Sequence, residues 1–200
     1  MTFARFKELF RQTLTDPRGA GLEVIALQLP VQALWMALML TSVLLSLMVS
    51  ALFHSAPLPG DEMGELIRMS PAYRAPLVFA IINWVQAVVS VFVLHWIGRG
   101  LGGQGEMPDM LAVLIWLQVV SLAMAVVLFV VGLVLPLLGG LAMIVAFLWG
   151  IWATVALIDA ANRFDNMGKA LGTCVLAVLA VSIGMTILSA LLAGLGLRGA

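Results

Sequence analysis

The chain has 200 residues, of which ten are basic and ten acidic, so its formal net charge is zero. Only 10% of the residues are charged while 63% are hydrophobic, and the mean hydropathy is +1.14. This composition cannot supply the charged surface of a soluble domain, and the zero net charge excludes a general basic field for nucleic acid. A single cysteine, Cys174, also excludes an intramolecular disulfide framework and a cysteine-based metal site.

The first predicted element is an amphipathic helix over residues 1–16, because apolar residues recur there at helical spacing and basic residues occupy the other faces. This pattern predicts a helix lying in the headgroup layer of a membrane. The alternative is a cap packed on the ends of the membrane spans. Asp16 and Pro17 then predict a second start, since Asp caps helices and Pro suits their first turn. The apolar residues at helical spacing in the first helix are Phe3, Phe6, Phe10 and Leu14.

Residues 17–200 are predicted to form one domain with five membrane spans. Between Asp109 and Asp159 the chain has 49 consecutive residues without Asp, Glu, Lys, Arg or His. A helix needs only ~20 apolar residues to cross a bilayer, so this run predicts two spans. Pro136 and Gly139-Gly140 interrupt it near the middle, where we expect a tight hairpin. The fold class is therefore an all-α polytopic membrane bundle with an N-terminal interfacial helix. The predicted spans are roughly residues 30–53, 77–97, 110–135, 141–158 and 170–195.

Two of the predicted connections carry distinctive residues. The one between the first two spans is rich in proline and cannot cross the membrane, although Asp61 to Met69 predicts a short surface helix. The next connection, residues 98–109, is rich in glycine. It satisfies the pattern G-x-G-x-x-G, but the preceding element is a membrane span rather than a strand, which excludes a dinucleotide site. We instead expect these glycines to turn the backbone and expose amides to phospholipid headgroups. The candidate interaction residues of this connection are Gly98, Arg99, Gly102, Gly103, Gly105 and Asp109.

The distribution of positive charge predicts the orientation. With five spans, the N-terminus shares one side of the membrane with the second and fourth connections. That side carries seven basic residues and the opposite side three, which places the N-terminus in the cytoplasm and the C-terminus outside. The seven are Arg5, Lys7, Arg11, Arg18, Arg99, Arg163 and Lys169, and the three are Arg68, Arg74 and Arg198.

Polar residues inside the spans form a candidate intramembrane face. Asn83, Gln86 and Ser90 share one side of the second span, and Gln118 is a polar residue of the third. Such groups usually hydrogen-bond between helices, and the alternative is the lining of a substrate path. Paths more often use ionisable groups near the midplane, and the predicted spans have none there.

Small residues predict helix packing. The fourth span carries Ala142, Ala146, Gly150 and Thr154, each four residues apart. A similar series in the fifth span predicts a close contact between the two spans within one chain, the alternative being a homodimer. That series is Ser182, Thr186, Ala190 and Gly194, preceded by Gly168 and Gly172. We expect no catalytic residue, cofactor or metal site, since His54 and His95 stand far apart and no ligand pattern surrounds them.

Several stretches resemble the Yip1 domain family. They are His95-Trp96-Ile97-Gly98, Leu101-Gly102-Gly103-Gln104-Gly105 with Asp109 and Trp116, Leu148-Trp149-Gly150-Ile151-Trp152, Gly168-Lys169-Ala170 and Asp16-Pro17-Arg18. The resemblance implies a small five-span protein with a cytoplasmic N-terminus. Eukaryotic members resemble adaptors for Rab-type GTPases in vesicle traffic and carry a long acidic extension. That extension is missing here, which argues against the adaptor role. The resemblance to bacterial members lies in the stretches 148–152, 168–170 and 16–18.

The sequence therefore predicts an integral protein of the bacterial cytoplasmic membrane, without enzymatic activity, that organises the membrane or partner proteins through its cytoplasmic face. The expected partners are the lipid bilayer and either a membrane protein or further copies of the chain. The alternative is a small permease or lipid transporter that uses the polar face of the second span.

Overall fold

The structure is a computed structural model that describes residues 3–55, 58 and 60–194, and of residues 133, 136, 185 and 188–194 it describes the backbone alone. All regular elements in this part of the chain are α-helices, as the composition and periodicity predicted. They are α1 (Phe3–Thr15), α2 (Pro17–Ala26), α3 (Val31–Ser55), α4 (Glu62–Met69), α5 (Pro71–Arg74), α6 (Pro76–Gly100), α7 (Met107–Val134), α8 (Pro136–Asn162) and α9 (Met167–Gly194).

Five of these helices, α3 and α6–α9, are long and apolar enough to cross a membrane. They confirm the five predicted spans, with shifted ends. Helix α6 continues to Gly100, so the first residues of the predicted glycine-rich connection are helical. Helix α8 begins at Pro136 and continues to Asn162, four residues beyond the predicted end of the fourth span. The predicted end of the fifth span at residue 195, and Arg198, lie outside the described residues.

The helices pack so that α7 contacts α3 and α8, α3 contacts α6, and α9 contacts α6 and α8. Helix α2 lies against α7 and α8. We call the end of the bundle that holds α1, α2 and the connections after α6 and α8 the α1 end. The opposite end, with α4, α5 and the turn between α7 and α8, is the α4 end. The most deeply buried apolar residues lie near the α1 end: Met110, Leu111, Val113, Leu157 and Ile158.

The turn between α7 and α8 is shorter than the sequence predicted. Helix α7 ends at Val134 and α8 begins at Pro136, which leaves Leu135 alone between them. The two helices touch at their backbones, because a Cβ on Gly139 would lie 2.6 Å from the Cα of Gly132. Gly139 therefore lets α7 and α8 approach closely within the first turns of α8. We had expected the glycine pair to form the hairpin itself.

Helix α1 packs on the bundle through part of its apolar face. Leu9 and Thr13 are fully buried. The Phe6 ring packs edge-on against Trp116 of α7, with 5.7 Å between ring centroids. Trp116 donates its indole N–H to the hydroxyl of Thr13 over 2.9 Å. A buried indole N–H needs an acceptor, and Thr13 of α1 supplies it. Only Phe3, 83% exposed, keeps the predicted outward position among the three phenylalanines of α1.

Candidate functional site

The glycine-rich residues 98–106, which we call the glycine connection, wrap around the end of α8. The amide of Gln104 donates to the carbonyl of Asn162 over 2.9 Å, and that of Gly103 to the carbonyl of Gly98 over 2.8 Å. A Cβ on Gly105 would lie 1.7 Å from the carbonyl oxygen of Ala161. These glycines are therefore required because two backbones meet there.

The expectation that the glycine amides face phospholipid headgroups is wrong for the buried part of the connection. Gly98, Gly103 and Gly105 are buried against α8, and the amides of Gly103 and Gln104 are bonded within the protein. Arg99 and Gly102 are exposed. Gly102 has a φ of 89°, a left-handed conformation that favours glycine. Of the predicted interaction residues, these two are available to a partner.

Asp109, the last predicted residue of this loop, joins the start of α7 to the end of α8. Its Oδ2 accepts from the amide of Glu106 over 3.1 Å and from Nη2 of Arg163 over 2.9 Å. Arg163 has a φ of 56° and ends α8 in the left-handed conformation. Asp109 thus acts as a structural contact between two helices.

A second ion pair at the α1 end is deeply buried. Asp159, 1% exposed, accepts from Nε of Arg18 over 2.5 Å and from the amide of Asn166 over 3.0 Å. Arg18 also reaches the exposed Asp165 over 3.0 Å. Removing a carboxylate from water is costly unless a counter-charge and hydrogen bonds replace the water, and Asp159 has both. The pair holds α2 and the connection after α8 against the end of α8.

Asn162 occupies the space that the glycines leave open. Its side chain is 1% exposed and donates to the carbonyl of Ile158 over 3.0 Å. A Cβ on Gly98 would lie 1.9 Å from its Oδ1, so this amide fills the gap against α6. The Oδ1 atom itself has no hydrogen-bond partner in the described structure. Asn162 therefore acts as a polar wedge between α6, the glycine connection and α8.

The outer surface of the α1 end keeps four cations without an ion pair among the described residues. They are exposed, and they lie on α1, on the end of α6 and on the start of α9: Lys7, Arg11, Arg99 and Lys169. The ion pairs of this end otherwise use Arg5, Arg18 and Arg163. The α1 end is thus held by one ion pair with a buried carboxylate, and these four cations remain unpaired on its surface beside exposed acidic residues.

The predicted intramembrane polar face lies on a cavity. Asn83, Gln86, Ser90 and Gln118 all line a space of about 430 Å³ between α3, α6 and α7. Two hydroxyls of α3, those of Ser42 and Ser46, complete its polar lining, and none of its lining residues is ionisable. The sequence spacing therefore identified residues that do come together.

Most of these polar groups are engaged with each other. Thr41 donates to Oε1 of Gln118, whose Nε2 donates to Ser42 over 3.2 Å. Asn83 donates to Ser46 over 3.0 Å. These bonds connect α3 with α6 and α7, as expected of polar residues in packed spans. Gln86 differs, because its side-chain amide has no hydrogen bond to any described residue and remains directed to the cavity region.

A family model for the Yip1 domain matches residues 11–197. The chain belongs to the Yip1 domain family. Comparisons with curated proteins and with solved structures gave no match. Yip1-domain proteins are generally non-enzymatic membrane proteins, and this one is an integral membrane protein with five spans.

The predicted small-residue contact between the fourth and fifth spans of this Yip1-domain protein is wrong at its centre. A Cβ on Gly150 would meet nothing within 4 Å, and Ser182 and Thr186 are exposed. Ala146 and Gly150 instead line a groove beside α7, and Thr154 bonds back to the carbonyl of Gly150. A Cβ on Gly172 would lie 3.9 Å from Cδ1 of Leu101 in the glycine connection. The side chain of Ala190 lies outside the described part.

Three residues of this site were not predicted from the sequence: Arg18, Asp159 and Asn162. A signal was present, since Asp159 and Asn162 end the longest charge-free run and stand three residues apart, on one side of a helix. The charge-free run could not reveal which cation pairs with Asp159, because Arg18 is 141 residues away along the chain.

Proposed function

We propose that this protein is a non-enzymatic membrane scaffold whose α1 end binds a partner protein. The observation that carries the proposal is the construction of that end: α1, α2, the glycine connection and the connection after α8 are tied together by buried contacts. Such a surface keeps its shape without a ligand, which lowers the ordering cost of binding. Lys7, Arg11, Arg99 and Lys169 remain exposed on it and suit an acidic partner.

The test is co-purification in mild detergent with the charge-reversing pair Arg99→Glu and Lys169→Glu. We expect wild type to retain a partner that the double variant loses. Glu65→Arg, a charge reversal on the exposed surface of α4, is the matched control and should retain it. Repeated purification without any partner, together with an unchanged envelope in a deletion strain, would contradict the scaffold.

We further propose that the α1 end is cytoplasmic and that the protein resides in a bacterial cytoplasmic membrane, with its C-terminus outside. The seven basic residues at the α1 end against three elsewhere support this orientation. A C-terminal reporter that is active only in the cytoplasm should stay silent, and one at the N-terminus should be active. The reverse pattern would contradict the orientation.

The cavity supports a second candidate function, a small permease or lipid transporter. Its uncharged polar lining suits a neutral substrate with hydroxyl or carbonyl groups, since a charged one would lack a counter-charge there. Gln86 is the sharpest probe because it makes no side-chain bond that holds the fold together. We expect Gln86→Ala to abolish flux or lipid scrambling in proteoliposomes if the cavity is the path. Thr186→Ala, on the exposed face of α9, should leave transport unchanged, and equal effects of the two would exclude the path.

A further inference from the structure

The short helix α4 has an exposed apolar face that neither of the two proposed functions uses. Met63, Leu66 and Met69 are 59%, 64% and 63% exposed. Their spacing of three residues places them within an arc of about 120° on one side of the helix, which also includes the exposed Glu62 at its first position. The opposite side carries Arg68, and the intervening Gly64 is buried. Helix α4 is capped, and an exposed apolar stripe on such a helix indicates that the stripe contacts a partner other than water.

The attachment of α4 fixes its depth relative to the membrane spans. Ser70 joins it directly to α5, where Ala72 is buried. The Tyr73 ring stacks on His54 near the end of α3, with 4.3 Å between centroids and 3° between planes. Helix α3 ends at Ser55 and α6 begins at Pro76. Helix α4 is therefore held within a few residues of the points where two spans leave the bilayer.

A lipid-facing surface of the spans begins just after α5 in the chain. The first residues of α6 after the proline, Leu77 and Val78, are 73% and 52% exposed. They belong to a candidate membrane span, so their apolar side chains face acyl chains. A surface that meets lipid thus lies directly beside the end of α5.

We infer that α4 is an interfacial anchor, with Met63, Leu66 and Met69 inserted among the lipid acyl chains just below the headgroups at the α4 end. Asp61, Glu62 and Glu65 outnumber Arg68 on this segment, so attraction to anionic headgroups does not drive the contact. Apolar burial does, and the anchor should form in a purely zwitterionic bilayer. The inference does not depend on the proposed function, and it assigns to α4 a membrane contact like the one that the sequence predicts for α1.

The test uses the full chain in nanodiscs of phosphatidylcholine. Cys174 is the only cysteine and is first replaced by Ala. Single cysteines at Leu66 or Arg68 are then labelled with the fluorophore NBD. The two positions are both exposed, and they lie on nearly opposite sides of α4 because successive helical residues are about 100° apart. Thermal midpoints equal to that of the parent establish that the labelled variants are folded, and Met63→Cys replaces Leu66→Cys if the latter is not.

We expect NBD at position 66 to emit at shorter wavelength and to lose fluorescence when the lipids carry bromine near the top of their acyl chains. The label at position 68 should lose fluorescence to aqueous iodide and not to brominated lipid. Iodide quenching at both positions would place α4 in water and overturn the inference. Protection of position 66 from both quenchers would show that protein covers the stripe, and equal lipid quenching at both positions would exclude an oriented helix. Either result overturns it too.

Discussion

The two halves of α8 are both apolar, but they have opposite surroundings. In the first half, Leu137, Ile144 and Val145 are 81%, 60% and 66% exposed. In the last part, Leu157, Ile158 and Ala160 are 0% exposed, because α2, α7 and the glycine connection enclose the helix. Lipid is as apolar as leucine, so hydrophobicity by itself does not decide which half is covered by protein. What distinguishes the buried half is Asp159 and Asn162, together with glycines that let backbones approach.

The largest expected effect tests the buried ion pair. Asp159→Ala leaves Arg18 without its buried partner, and breaking a buried pair typically costs about 3–5 kcal/mol. We expect a loss toward the lower end, because Arg18 is 35% exposed and keeps Asp165. Asp165→Ala is the matched control, since its carboxylate pairs with the same arginine but is 89% exposed, and exposed pairs contribute about 0–1 kcal/mol. Thermal unfolding in mild detergent measures both. Equal losses would show that burial is not what makes Asp159 important.

The next effect tests the backbone contact at the end of α8. Gly105→Ala places a methyl group 1.7 Å from a carbonyl oxygen of Ala161, and neither backbone can yield without separating. Overpacking costs about 1–3 kcal/mol, and a backbone neighbour favours the upper end. Gly100→Ala is the control, because a Cβ there meets nothing within 4 Å. A thermal midpoint that is equally low in the control would contradict the assigned contact.

A smaller effect tests the wedge formed by Asn162. Gly98→Ala puts its methyl group against the Asn162 side chain, which can move, so we expect a loss of about 1 kcal/mol at the low end of overpacking costs. Truncation by Asn162→Ala opens the space again. In that background Gly98→Ala should cost little, which gives a coupling energy of about 1 kcal/mol, within the range typical of residues in contact. Additive losses in the double variant would contradict direct contact.

The smallest effect concerns the exposed side of α8. Gly150→Leu adds a side chain where no described atom lies within 4 Å, so its effect on the thermal midpoint should stay within about ±0.5 kcal/mol. From the sequence we expected this substitution to push two spans apart. A clear loss, accompanied by a shift to a smaller species in size-exclusion chromatography, would instead indicate a homodimer through this face.

The sequence predicted most of the membrane architecture because spans are set by length and hydropathy. The charge-free run to Asp159 predicted two of them, and Asp16 does cap a helix as its position suggested. The spacing of Asn83, Gln86 and Ser90 also identified residues that line one cavity. Each of these features is local, so a single stretch of chain contains the information.

The remaining contacts depend on distant partners. The stripe of Phe6 and Phe10 is compatible with lipid or protein, and the sequence does not reveal that Phe6 and Thr13 contact Trp116 of α7. Gly150 and Gly105 look alike in sequence, yet one faces open space and the other a carbonyl. A glycine permits close approach from any direction, and the neighbour that uses it is set by how all the helices assemble.

The one-residue turn at Leu135 bears on how the chain enters the membrane during synthesis. There is no hydrophilic segment between α7 and α8 to be carried across the bilayer, so the two can insert together as a hairpin from the side where α7 begins. At the α4 end this hairpin has no loop that a protease or an antibody could bind or that could accept an inserted tag. Among the described residues, the accessible sequence at this end lies in the stretch between α3 and α6.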